Sequence, residues 1–172
     1  ISVPTDAYIC AGTIMVNGEL IYSGTNVCNY EPIASIVEAS SFNEDGYYKI
    51  GDQIAVTLNF SRNVAVDGTP QLTLETGLTD QVANYSSGSE SLTLTFNYIV
   101  QEGDISPDLK YVSTTALSLN GGSIKDLTNK DSDILLPEPG TTNSLSANKD
   151  IVVDGIIPTN GMVNDGIGED IQ

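Results

Sequence analysis

The chain has no histidine and no tryptophan, two cysteines among 172 residues, and six lysines and arginines against 23 aspartates and glutamates. Each shortage excludes something. Without histidine there is no Ser-His-Asp or Cys-His nucleophile system, and most zinc sites are gone with it. Apolar runs are only a few residues long, far below the roughly 20 needed to cross a bilayer, so direct membrane insertion is not expected. Few cations and a net charge of -17 repel nucleic-acid phosphates and anionic lipid, which removes both as partners. Paired carboxylates are plentiful, but nothing places one in the apolar pocket a hydrolase acid requires. No enzyme is expected. No signal peptide is visible, and Ile1 is not an initiator methionine, so the expectation is a piece of a longer chain.

What remains is a β-sheet text. No segment reads as a helix longer than a turn or two. β-Branched and aromatic residues alternate with polar ones, punctuated by Gly, Asn, Asp and Pro. Strands are expected at 33–38, 53–60, 71–75, 81–85, 91–100, 110–119 and 149–154, with short pieces at 46–50 and 63–66. In "IAVTLNF", Ile54, Val56, Leu58 and Phe60 fall on one face; Leu92, Leu94, Phe96 and Tyr98 repeat the pattern, as do Leu72 and Leu74. Seven short strands predict an all-β fold, an immunoglobulin-like Greek-key β-sandwich. Residues 120–148 are long, polar and glycine-rich, with Pro137 and Pro139 unfit for a central strand. They read as an ordered excursion with short strands near Ile124 and Ile134–Leu136.

Three parts are expected: a small unit over 1–31, the sandwich over 32–158, and a linker or the start of a following domain over 159–172. In the first, "TIMVNGELIY" signals a hairpin around Asn17-Gly18. Cys10 and Cys28 enclose a short loop, and a disulfide there would stabilise by about 3 kcal/mol on the chain-entropy model. Free thiols are the alternative. A bridge implies an extracytoplasmic, extracellular setting.

From Ile33 to Thr159 the motifs "DGYYKIGDQIAVTLNFSRNVAVDGTPQLTLETG", "YSSGSESLTLTFNYIVQEGD", "LSLNGGSIKDLTNK" and "KDIVVDGIIPT" occur in this order. Together they resemble the immunoglobulin-like repeat of very large bacterial surface adhesins. The resemblance implies an elongated chain of extracellular domains holding a binding head away from the cell, calcium at or near domain junctions, and no enzyme activity. Residues 1–31 and the cysteine pair depart from the repeat.

Calcium wants roughly six to eight oxygens, and strand alternation suggests where they gather. If consecutive strands run in alternating directions, the loops 39–52, 75–80, 101–109 and the chain after 154 share one end, here the distal end. They carry Glu44, Asp45, Asp52, Glu75, Asp80, Glu102, Asp104, Asp108 and Asp154. Crowded carboxylates repel by about 1 kcal/mol per close pair in water, and a divalent cation reverses the sign. The expected Ca²⁺ ligands are Asp104, Asp108, Asp154, Glu44 and Asp45, each of which is otherwise an ordinary solvated turn residue. The loop "DLTNKDSD" (126–133) is a second candidate that lacks EF-hand spacing. The functional expectation is a calcium-stiffened adhesin module contacting neighbouring domains of its own protein. The alternatives are a filament subunit pairing identical copies by strand exchange, or a module whose 120–148 segment contacts a cell-surface glycan or protein.

Overall fold

A computed structural model describes residues 13–16, 19–23 and 32–157, and the chain divides into two compact units, 1–32 and 33–172. In the first, β1 (Thr13–Val16) and β2 (Glu19–Ser23) pair antiparallel, Val16 opposite Glu19. Cys10, Cys28 and the Asn17-Gly18 turn lie outside the described residues.

The second unit is all-β. An eight-stranded curled antiparallel sheet takes the order β10–β6–β7–β8–β5–β12, with β3 beside β5 and β11 beside β6. Its members are β3 (Ile36–Ser41), β5 (Gln53–Asp67), β6 (Gln71–Glu75), β7 (Gln81–Ser87), β8 (Ser91–Ile99), β10 (Lys110–Tyr111), β11 (Leu117–Ser118) and β12 (Ser123–Asp126). A smaller sheet sets β13 (Ile151–Asp154) between β4 (Gly46–Lys49) and β9 (Ile105–Ser106), parallel to the first and antiparallel to the second.

The alternating residues dictate the core. Ile54, Val56, Leu58, Leu72, Leu74, Leu94 and Phe96 are fully buried, with Phe60 and Tyr98 nearly so. Phe96 meets Tyr85 edge to face, centroids 5.9 Å apart and planes at 68°. Leu92 breaks the expectation, remaining 49% exposed. It sits where β5 and β8 lose register between Asn59 and Val64.

Other differences have local causes. The strands expected at 53–60 and 63–66 are one element, β5, carried through that irregularity. The expected strand 110–119 is two short ones. Seven residues from Tyr111 to Leu117 face only three, from Leu74 to Leu72, so 112–116 must loop outward. The strand expected near Ile134–Leu136 is absent; two isolated bridges, Ser35 with Asp133 and Lys125 with Asp131, stand there instead. The 120–148 excursion still anchors itself, burying Ile124, Leu136 and Leu145. It ends in the single turn α1 (Leu145–Asn148).

Phe96→Ala is expected to cost about 3–5 kcal/mol of unfolding free energy through transfer and cavity terms, against under about 1 kcal/mol for Leu92→Ala. Urea denaturation of the two variants checks the ratio.

Candidate functional site at the distal end

The distal loops do converge, through the backbone. Gly51 N–H donates to Val100 O at 2.9 Å and Ile105 N–H to Thr76 O at 2.8 Å. Gly103 N–H donates to Gly155 O at 2.9 Å, and Gly155 N–H to Asp104 O at 2.6 Å. Four segments distant in sequence thus meet around the turn 101–104.

Asp104 makes that turn rigid. It is 2% exposed, and a buried carboxylate is costly unless each oxygen has donors. Its Oδ2 accepts from the Tyr98 hydroxyl at 2.6 Å and from Gln101 N–H at 2.8 Å, and its Oδ1 accepts from Gln81 Nε2 at 3.0 Å. Gln101 Nε2 in turn donates to Gln81 Oε1 at 3.1 Å. Burial, then the hydrogen bond to Asp104 and the charge of Asp104, push the Tyr98 phenol far above its ordinary range.

Gly155 fits because it has no side chain. A Cβ there would lie 2.2 Å from Gln101 O, 2.7 Å from Asp104 O and 2.8 Å from Asp104 N. The main chain following β13 is therefore gripped on two faces by the 101–104 turn.

The remaining expected ligands face elsewhere. Asp45 Oδ1 accepts from Asp150 N–H at 3.0 Å, and Asp154 Oδ1 accepts from Ile156 N–H at 3.2 Å. Glu44 is exposed, and its carbonyl, not its carboxylate, accepts from the Tyr48 hydroxyl at 2.6 Å. Asp108 is half-buried with a shielded, unpartnered Oδ1. Its pKa is raised by burial and by the charge of Asp150, with Lys110 opposing. Asp45 and Asp108 do share one shallow depression of ≈ 270 Å³, alongside Asp150 and Lys149. Yet among the described residues no three carboxylates come together so as to hold a metal ion. Of the five, Asp104 is occupied by internal donors, and Asp45 and Asp154 each give one oxygen to a backbone N–H.

The loop 126–133 is likewise closed on itself. Asp126 Oδ1 accepts from Thr128 N–H at 2.8 Å, Thr128 Oγ1 at 2.7 Å and Lys130 N–H at 3.0 Å, an Asx-type turn. Those bonds, that of the Thr128 hydroxyl foremost, hold its carboxyl below the ordinary range. Lys125 pairs with Asp131 at 3.6 Å on the surface.

Sequence reasoning placed Asp104 at this pole but missed Tyr98, Gln81 and Gly155. Tyr98 was legible only as a core residue and Gly155 only as half of an Asp-Gly turn dipeptide. Comparison with family models, with curated proteins and with solved structures finds no match for the chain.

Gly155→Ala, whose Cβ would overlap the Gln101 and Asp104 backbone, and Asp104→Asn, which strands buried partners, are each expected to lower stability by about 1–3 kcal/mol and to speed amide exchange at Gly103 and Gly155. Both are read by denaturation and hydrogen exchange. Alkaline pH probes the same network. Tyr98 and Tyr111, the latter pushed up to about 12 by burial and the charge of Glu138, are raised above the unfolded value of about 10. Their contribution is full below pH 10 and is lost as pH rises beyond it. Stability is expected to hold to about pH 10 and to fall from there toward 12, followed by tyrosinate absorbance alongside far-ultraviolet dichroism.

Proposed function

We propose that this chain is a non-catalytic extracellular module of a bacterial surface adhesin, an immunoglobulin-like Greek-key β-sandwich that spaces and stiffens a multidomain fibre. The observation that carries the reading is where the described part of the second unit begins and ends. Ile36 pairs with Phe60 near the middle of β5, and Ser35 O accepts from Ser61 N–H at 2.8 Å. Gly155 is gripped beside Gln101, next to Val100, whose N–H reaches Asp52 at the start of β5. The two points are separated by the run of β5 from Gln53 to Phe60, which at about 3.4 Å per residue is roughly 25 Å. A module whose chain enters and leaves about 25 Å apart along the strand direction adds length with every copy.

Two observations favour this role over the alternatives. The outer edge of β3 is occupied: Ala39 N–H donates to Asn143 O at 2.8 Å, and Asn148 Nδ2 donates to Ala39 O at 2.9 Å. A covered edge is a poor template for an added strand. The 120–148 segment contributes Ile124, Leu136 and Leu145 to the core, which makes it part of the scaffold and not a free recognition loop.

Antibodies raised against this module are expected to label intact source cells, and labelling confined to lysed cells would sink the proposal. On the same protein, the melting midpoint is expected to rise no more with millimolar calcium than with magnesium at matched ionic strength. A calcium-specific rise would return a bound cation to the distal joint.

A further inference from the structure

Among the described residues, the first and last segments of the second unit run side by side in the same direction. Starting from β3, Ala39 exchanges bonds with Asn143 and Asn148, and Asn148 Nδ2 lies 3.4 Å from Glu38 Oε1. Lys149 Nζ then donates to Asn43 O at 2.7 Å, and Asp150 N–H to Asp45 Oδ1 at 3.0 Å. Gly46 N–H donates to Asp150 O at 2.9 Å. From there the parallel ladder pairs Gly46 with Ile151, Tyr47 with Val152, Tyr48 with Val153 and Lys49 with Asp154. Residues 38–49 and 143–154 thus form a continuous seam, closed at its distal end where Gly155 is held by Gly103 and Asp104.

We infer that this seam is a mechanical clamp that bears load when the module is stretched between residues 33 and 157. Tension at the proximal end draws residues 38–49 backward along their own direction. Tension at the distal end draws residues 143–154 forward along theirs. The pull therefore lies along the ladder, and its rungs must slip together. A pull applied to both strands at one end would peel the same rungs one after another. Each hydrogen bond contributes little net on its own, so simultaneous loading, not the strength of any rung, supplies the resistance. Forced unfolding is governed by the unfolding rate and not by equilibrium stability, so the clamp can be strong in a module of ordinary stability. β13 is also paired on its other side, with Ser106 and Ile105 of β9, which adds a second sheared ladder to the same strand.

The clamp gives a physical form to the spacer role proposed above and rests on it for its biological use. It is tested by single-molecule force spectroscopy on the full chain in two geometries. Handles beside Ile33 and Ile157 load the seam in shear. Handles at Ile50 and Ile157, both just past the distal ends of β4 and β13, peel it. The end-to-end rupture force is expected to be severalfold the same-end force. The double variant Asp45→Ala with Asn148→Ala, which removes two side-chain stitches, is expected to lower the first force and leave the second unchanged. Equal forces in the two geometries for the unmodified protein would overturn the clamp, whether or not the variant folds. That result would leave surface labelling untouched, while a strong clamp on a protein absent from the cell surface would refute only the spacer role.

Discussion

The distal end depends on one carboxylate that has left water. Asp104 can be buried only because a phenol, a backbone N–H and a glutamine amide are aimed at its two oxygens, and each of those donors comes from a different part of the sheet system. Tyr98 belongs to β8, Gln81 opens β7, and Gln101 begins the turn itself. Satisfying the charge therefore fixes the spacing of these elements, and the fixed turn presents the N–H of Gly103 and the carbonyl of Asp104 to Gly155. Removing the charge frees each of these groups at once, which is the usual behaviour of a fully connected polar network in a low-dielectric setting.

How much of this was legible can be argued from particular residues. The period of two in Ile54 to Phe60 and in Leu94 to Tyr98 marks buried faces because successive side chains in a strand must point to opposite sides. Those positions are buried. The same rule fails at Leu92 and over 112–116, where irregular register is set by partner strands and not by local residue type. The alternation of chain direction correctly gathered the loops 39–52, 75–80 and 101–109 with the chain after 154. It could not say where the carboxylates would turn. In a bend, one residue's change of backbone angle decides whether an acid faces solvent or the interior, and Asp104 and Glu102 lie two positions apart with opposite fates.

Charge is handled by dispersal. With net charge -17, crowding at one pole would be costly, and the structure uses acids singly as acceptors for nearby N–H groups. Asp45 caps Asp150, Asp52 caps Lys49 and Asp126 caps Thr128 and Lys130. A negative oxygen set against a backbone donor relieves both the unmet N–H and part of the repulsion. One of the scarce cations serves similarly: Lys149 spans to the carbonyl of Asn43, fastening two distant segments.

The seam between residues 38–49 and 143–154 has a bearing on how the molecule is made. Partners about a hundred positions apart in the chain impose a high contact order, and ordering them carries a large loop-closure cost before any reward. A nascent polypeptide that has not yet emerged past Asp154 has β4 without β13, the strand it pairs with, and β3 with a bare flank. Synthesis must run almost to the end of the unit before its first strands can be capped.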